Sequence, residues 1–281
     1  MTTLDLTSAA TPVERSAALR RAGLFLLVCA PIWLTPGVFS LAHPLLVVAV
    51  VVGLTLFLLR RDGRPAAVLG LDPSPRRIWE LLTGLAGGVL LMGTIALAIG
   101  ALLPFPWVRN PGFDPRLAAY SLLWLLCGNA VEELIFRGYG FERLITALGH
   151  WRAQLVTALL FAVFHIAQGW SWQVALTGTT IGSLLFGLVF VRWRSVPAAV
   201  GVHAAVNWTR DLLLMDPPIA KTLVAPLAPR PWTGQEQLLA GLAFSGVILL
   251  ACWALWRSIR ARSASPHDSG DLRADAISAP S

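Results

Sequence analysis

The 281-residue chain is poor in charge: Asp, Glu, Lys and Arg make up 13% of it, against 56% hydrophobic residues. With a mean hydropathy of +0.68, that composition excludes an ordinary soluble globular domain. Cysteine is scarce as well. Cys29, Cys127 and Cys252 each sit alone in a separate apolar run, which excludes a disulfide framework and a cysteine-built metal cluster and leaves them as small packing residues. Lysine is almost absent, so arginine carries the net charge of +7. The arginines lie at the ends of apolar runs, as in the loops of membrane proteins, and this argues against nucleic acid as a partner. Also missing are the H-E-x-x-H zinc motif, the internal repeats of inverted-repeat transporters and the ~10-residue alternating segments of a membrane barrel.

What the chain does have is a series of apolar runs near the ~20 residues that cross ~30 Å of hydrocarbon. The expected fold is all-α, a polytopic transmembrane helical bundle of about eight spans. They fall at 23–41, 44–59, 79–103, 118–136, 153–168, 174–191, 196–214 and 237–256. A polar N-terminal tail (1–22) precedes the bundle (23–258), and a polar, disordered tail (259–281) follows it. The basic "ALRRAG" ahead of the first run also fits a signal peptide cleaved after Ala42, but the many later spans favour a retained first span. Of the 22 Lys and Arg, only Arg109, Arg116, Arg210, Lys221 and Arg230 fall on one side of this map. That asymmetry places both termini in the cytoplasm, in a multi-pass protein of the cell membrane. The third span, "GLAGGVLLMGTIALAIG", is rich in small residues suited to close helix contact.

An ionisable side chain inside a span costs ~2.5–3.5 kcal/mol on insertion scales, so each one points to function. In the fourth span Asn129, Glu132, Glu133 and Arg137 fall at i, i+3, i+4 and i+8. Glu133 and Arg137 share a face in the favourable acid-before-base order. Glu132 points about 100° away from that pair. Two adjacent carboxylates in different surroundings is how proteins separate a structural acid from a working base. The fifth span holds His165 in apolar company, and the seventh aligns His203, Asn207 and Arg210/Asp211 along one stripe. A polar stripe on a membrane helix must face protein or a wet cavity.

The expected picture has Glu132, His165, His203 and Asn207 converging from three helices. Two chemistries fit. Glu132, His165 and His203 could hold a divalent metal such as zinc, with water in the open position. Alternatively Glu132 as base and His165 as partner activate water without metal, while His203 and Asn207 donate to the oxyanion. Both describe acyl-bond hydrolysis. Buried Glu and His also relay protons in coupled transporters, and a non-catalytic membrane scaffold or immunity protein is a third class.

These residues resemble the CAAX prenyl protease and bacteriocin-processing family of intramembrane endopeptidases (the ABI or CPBP family). Its motifs E-E-x-x-x-R, F-x-x-x-H and H-x-x-x-N read here as "EELIFR" at 132–137, "FAVFH" at 161–165 and "HAAVN" at 203–207. The resemblance covers about 118–214. It implies that Glu132 and His165 activate water, that Glu133, Arg137 and Phe161 support them, and that His203 and Asn207 polarise the scissile carbonyl. It also implies a membrane-associated protein or peptide as substrate, as in CAAX-box protein maturation. One strain in the map is depth. His165 lies ~20 Å along its helix from Arg152, whereas Glu132 and His203 lie within a few turns of the cytoplasmic face. The fifth helix must tilt or begin deeper, or residues 137–152 must dip into the membrane.

Overall fold

Helix starts follow local sequence chemistry. In the computed structural model, which describes residues 10–34, 42–103, 108, 109, 111–214, 224, 225 and 232–264, α1 (Pro12–Leu34) begins at a reciprocal capping box. There Thr11 N–H donates to Glu14 at 2.8 Å and Glu14 N–H donates back to the Thr11 hydroxyl at 3.3 Å. α2 spans Ala42–Arg61. α3 (Pro75–Leu102) and α4 (Pro115–Phe136) each start with an N-cap, Ser74 or Asp114, followed by proline at the first helical position.

The chain continues through α5 (Tyr139–Leu148), α6 (His150–Ala167) and α7 (Trp172–Val174). A π turn, Ala175–Thr179, joins α7 to α8 (Thr180–Trp193). Arg194, in the left-handed region at φ 50°, reverses the chain into α9 (Val196–Leu214), whose first turn is capped by Ser195. A second capping box, Thr233 with Glu236, opens α10 (Gly234–Ala264). Val108–Arg109 and Val224–Ala225 pair antiparallel between the two long loops.

The fold is a helical bundle, as expected, with a helix in each of the eight expected segments. Five stretches are long and apolar enough to cross a membrane: His43–Arg61, Pro75–Leu102, Pro115–Leu148, Trp172–Trp193 and Gly234–Arg262. Helices α6 and α9 are not among them, and they carry His165, His203 and Asn207 of the site. α1 starts at Pro12, inside the segment read as a polar tail, and α10 runs helical to Ala264. Residues 1–9 and 265–281 of the two expected tails lie outside the described residues.

Two packing features place the site. First, α3 and α9 meet through glycine. A Cβ on Gly84 would sit 2.4 Å from the Ala198 carbonyl oxygen, and one on Gly201 would sit 2.3 Å from that of Leu81. Only hydrogen fits at such backbone-to-backbone approach, which is the small-residue packing expected of the third span. It fixes the height and rotation of α9. Second, the stretch between the fourth and fifth expected spans is itself a helix. Tyr139, Phe141, Leu144 and Ile145 of α5 join Phe25 of α1, Leu59 of α2 and Phe136 of α4 in one core cluster. At the start of this helix Gly138 breaks the helical run; a Cβ there would meet the Leu134 carbonyl oxygen at 2.1 Å.

Candidate active site

Glu133 lies at the centre of the site. Its side chain is fully buried, and Oε1 takes two partners: Arg137 Nη1 at 3.2 Å and His203 Nδ1 at 2.7 Å. The sequence predicts the first, at helical spacing on α4. The second comes from α9, 70 residues away. Arg137 is fully buried too. Its Nη2 donates to the Ser183 carbonyl at 2.9 Å and to the Ser183 hydroxyl, and its guanidinium lies 4.9 Å from the Phe161 ring centroid and 5.5 Å from that of Phe186. A buried cation so enclosed is hydrogen-bonded, ion-paired and sandwiched between ring faces, which is how its desolvation is offset.

His203 is oriented from both sides. A carboxylate only accepts, so Nδ1 carries a proton toward Glu133 and Nε2 is turned to Glu132, whose Oε2 lies 3.7 Å away. The ring stacks on Phe186 at 4.0 Å between centroids. Glu132, one residue before the buried pair, keeps 20% of its side chain exposed and lines a cavity of ≈ 640 Å³. The two carboxylates therefore have the different surroundings that the 100° step implies.

His165 reaches the same cavity from the last turn of α6. Its Nδ1 lies 2.8 Å from the Phe161 carbonyl oxygen. Because that oxygen only accepts, Nδ1 carries the hydrogen and Nε2 is the acceptor nitrogen. The Phe161 ring lies between the two imidazoles, 4.4 Å from His165 and 6.1 Å from His203, so it spaces the site while its carbonyl sets a tautomer. His165 lies ~22 Å along α6 from His150 and His203 ~10 Å along α9 from Val196, at 1.5 Å per residue. His165 and His203 nonetheless line one cavity. α5 packs against α1 ahead of α6.

Asn207 lines the cavity one turn beyond His203, and its Nδ2 donates to Asn129 Oδ1 at 3.3 Å. Arg210 and Asp211, further along the same stripe, also line it and pair with each other at 2.8 Å. All four expected catalytic side chains thus border one chamber, along with Phe161. Glu133 and Arg137 lie behind it. Two contributors escaped the sequence reading. Ser183 was visible as a polar residue in "TTIGSLLFG", but Phe186 is one apolar residue among many and carries no signal.

The metal alternative fares differently. Among the described residues no three His, Cys, Asp or Glu side chains gather closely enough to hold a metal ion. Glu132, His165 and His203 share the cavity without converging on one point, so they do not form the three-ligand zinc site.

Fold and site together define a membrane-embedded helical bundle with a carboxylate–imidazole chamber between its helices. Residues 114–209, which contain Glu132, Glu133, Arg137, Phe161, His165, His203 and Asn207, match the model of a protease family, described as Type II CAAX prenyl endopeptidase Rce1-like. Over those residues the chain is similar to the family that the three motifs resemble. No curated protein and no solved structure matches the chain.

Proposed function

We propose that the protein is an intramembrane endopeptidase of the cell membrane that cleaves a peptide bond of a membrane-associated protein or peptide with activated water. The observation that carries this reading is the pairing of a cavity-facing carboxylate, Glu132, with an imidazole, His203, held 3.7 Å from it by a buried acid. Glu132 takes the proton of a water that His165 Nε2 orients by accepting its other hydrogen. The hydroxide attacks the scissile carbonyl. His203 Nε2 and the second Nδ2 hydrogen of Asn207 then donate to the oxyanion, and protonated Glu132 passes its proton to the departing amine.

Charge accounting supports these roles. His203 can donate from Nε2 only as an imidazolium, because Nδ1–H is committed to Glu133. In that form Glu132, Glu133, Arg137 and His203 sum to zero. When Glu132 takes up the proton the four sum to +1, and the oxyanion restores neutrality. A buried site that stays neutral along the reaction avoids the several kcal/mol that an uncompensated charge costs.

The test is Glu132→Gln, which keeps shape and removes the base. Membranes carrying wild-type or variant protein are compared by proteomics for a shortened peptide, and turnover of that peptide is then measured in proteoliposomes. Cleavage should fall by roughly 10²–10⁴-fold with unchanged thermal unfolding. Wild-type cleavage by the variant would remove Glu132 from the role of base.

A further inference from the structure

At one end of the bundle, where α6 begins and α8 and α10 finish, arginine and tryptophan gather away from the catalytic chamber. Trp151 of α6 meets Trp256 of α10 edge to face at 6.1 Å. Arg260 lies over Trp256 at 4.9 Å, Arg257 over Trp253 at 5.2 Å, and Arg192 of α8 over Trp193 at 5.1 Å. Arg192 is anchored across helices, its Nε donating to the Ser258 hydroxyl at 3.0 Å. Its Nη1 is nonetheless buried with no hydrogen-bond partner, and Arg262 stands close enough to repel it.

The neighbouring network differs in having acids, although Arg194 Nη1 there is likewise buried without a hydrogen-bond partner. There Asp62 and Glu142 take up Arg21, Arg64, Arg143 and Arg194. By contrast, among the described residues no carboxylate pairs with Arg192, Arg257, Arg260 or Arg262. Water suffices for the exposed Arg257, Arg260 and Arg262. It does not explain a buried guanidinium N–H facing a second cation. A compact anion with several acceptor oxygens would satisfy that N–H and screen the repulsion.

Depth identifies the source of that anion. Trp151, Trp193 and Trp253 are 51%, 39% and 54% exposed, and indoles presented outward at helix ends settle at the headgroup level of a bilayer. The anion abundant at that level is lipid phosphate. We propose that this arginine–indole end is a binding site for the headgroup of an anionic phospholipid, its phosphate seated against Arg192 and Arg262, with Arg257 and Arg260 adding attraction.

The test uses the full chain purified in neutral detergent, titrated with phosphatidylglycerol or phosphatidylcholine and read by native mass spectrometry. Each arginine beside an anionic headgroup contributes about fivefold in affinity. The wild type should therefore favour phosphatidylglycerol by roughly two orders of magnitude, and Arg192→Gln/Arg262→Gln should lower that preference by roughly 25-fold. Arg257→Gln/Arg260→Gln, confined to exposed side chains, should weaken it without touching the fold, and its thermal unfolding without lipid should match wild type. Equal affinity for the two lipids would overturn the proposal, as would an unchanged preference in both double variants. So would inorganic phosphate binding as tightly as phosphatidylglycerol, since that would make the site one for free anion.

Discussion

Replacing Glu133 by glutamine keeps nearly every atom in place and removes one charge from the centre of the site. Arg137, fully buried at the end of α4, then loses its only carboxylate within ion-pair distance among the described residues. Breaking one side of a buried ion pair costs about 3–5 kcal/mol, because the surviving charge stays in a low-dielectric setting. For a chain of this size each kcal/mol moves the unfolding midpoint by about 2–4 °C, so Glu133→Gln should lower it by roughly 6–20 °C. Arg137→Gln should cost less, since the carboxylate left behind still accepts from His203 Nδ1 at 2.7 Å. The double variant Glu133→Gln/Arg137→Gln leaves two neutral amides that can bond each other. It should be more stable than Glu133→Gln alone, giving a coupling of about 2–3 kcal/mol in a double-mutant cycle followed by unfolding in mixed micelles. Additive losses, with a coupling under about 0.5 kcal/mol, would refute the claim that the two charges hold each other in a dry interior.

Three other perturbations bear on separate parts of the argument. Asn207→Ala should lower kcat by roughly 10²–10³-fold as an oxyanion donor is lost, with KM and thermal unfolding nearly unchanged; a pure KM effect would assign Asn207 to substrate binding. Gly201→Ala places a Cβ 2.3 Å from the Leu81 carbonyl oxygen, which forces α3 and α9 apart by ~1 Å. It should cost about 1–3 kcal/mol of stability and about 10²-fold in activity through displaced His203; wild-type unfolding and activity together would contradict the close approach. Because Glu132, His165 and His203 do not converge as metal ligands, incubation with a strong zinc chelator should leave cleavage of the identified peptide unchanged. Loss of activity that zinc alone restores would require a different arrangement of these three side chains.

How much of this was legible in the chain differs from residue to residue. The Glu133–Arg137 pair was readable because four residues along one helix is a fixed geometric relation. The separation of Glu132 from that pair followed from the same helical step. Glu133 holding His203 was not readable as a contact. Only the motif resemblance joined positions 70 apart, and it named roles without distances. Eight helical segments could be marked from hydropathy, yet α5 was read as connection, because ten residues with two charges look like a loop until a groove receives them. Ser183 and Phe186 illustrate the remaining gap. Their importance comes from what packs beside them, and a lone serine or phenylalanine in an apolar run does not disclose its neighbour.

By itself the sequence determined the solvent, the eight long helical segments and their faces. Those depend on composition and on period, which are local properties of the chain. Tertiary packing alone decided which faces meet. Glycines on α3 and α9 bring two backbones together and set the height of His203, helix packing brings His165 to the same cavity, and Glu133 fixes which imidazole nitrogen looks into the chamber. Such relations are sums over contacts between distant segments, and their outcome exists only once the helices have closed on one another.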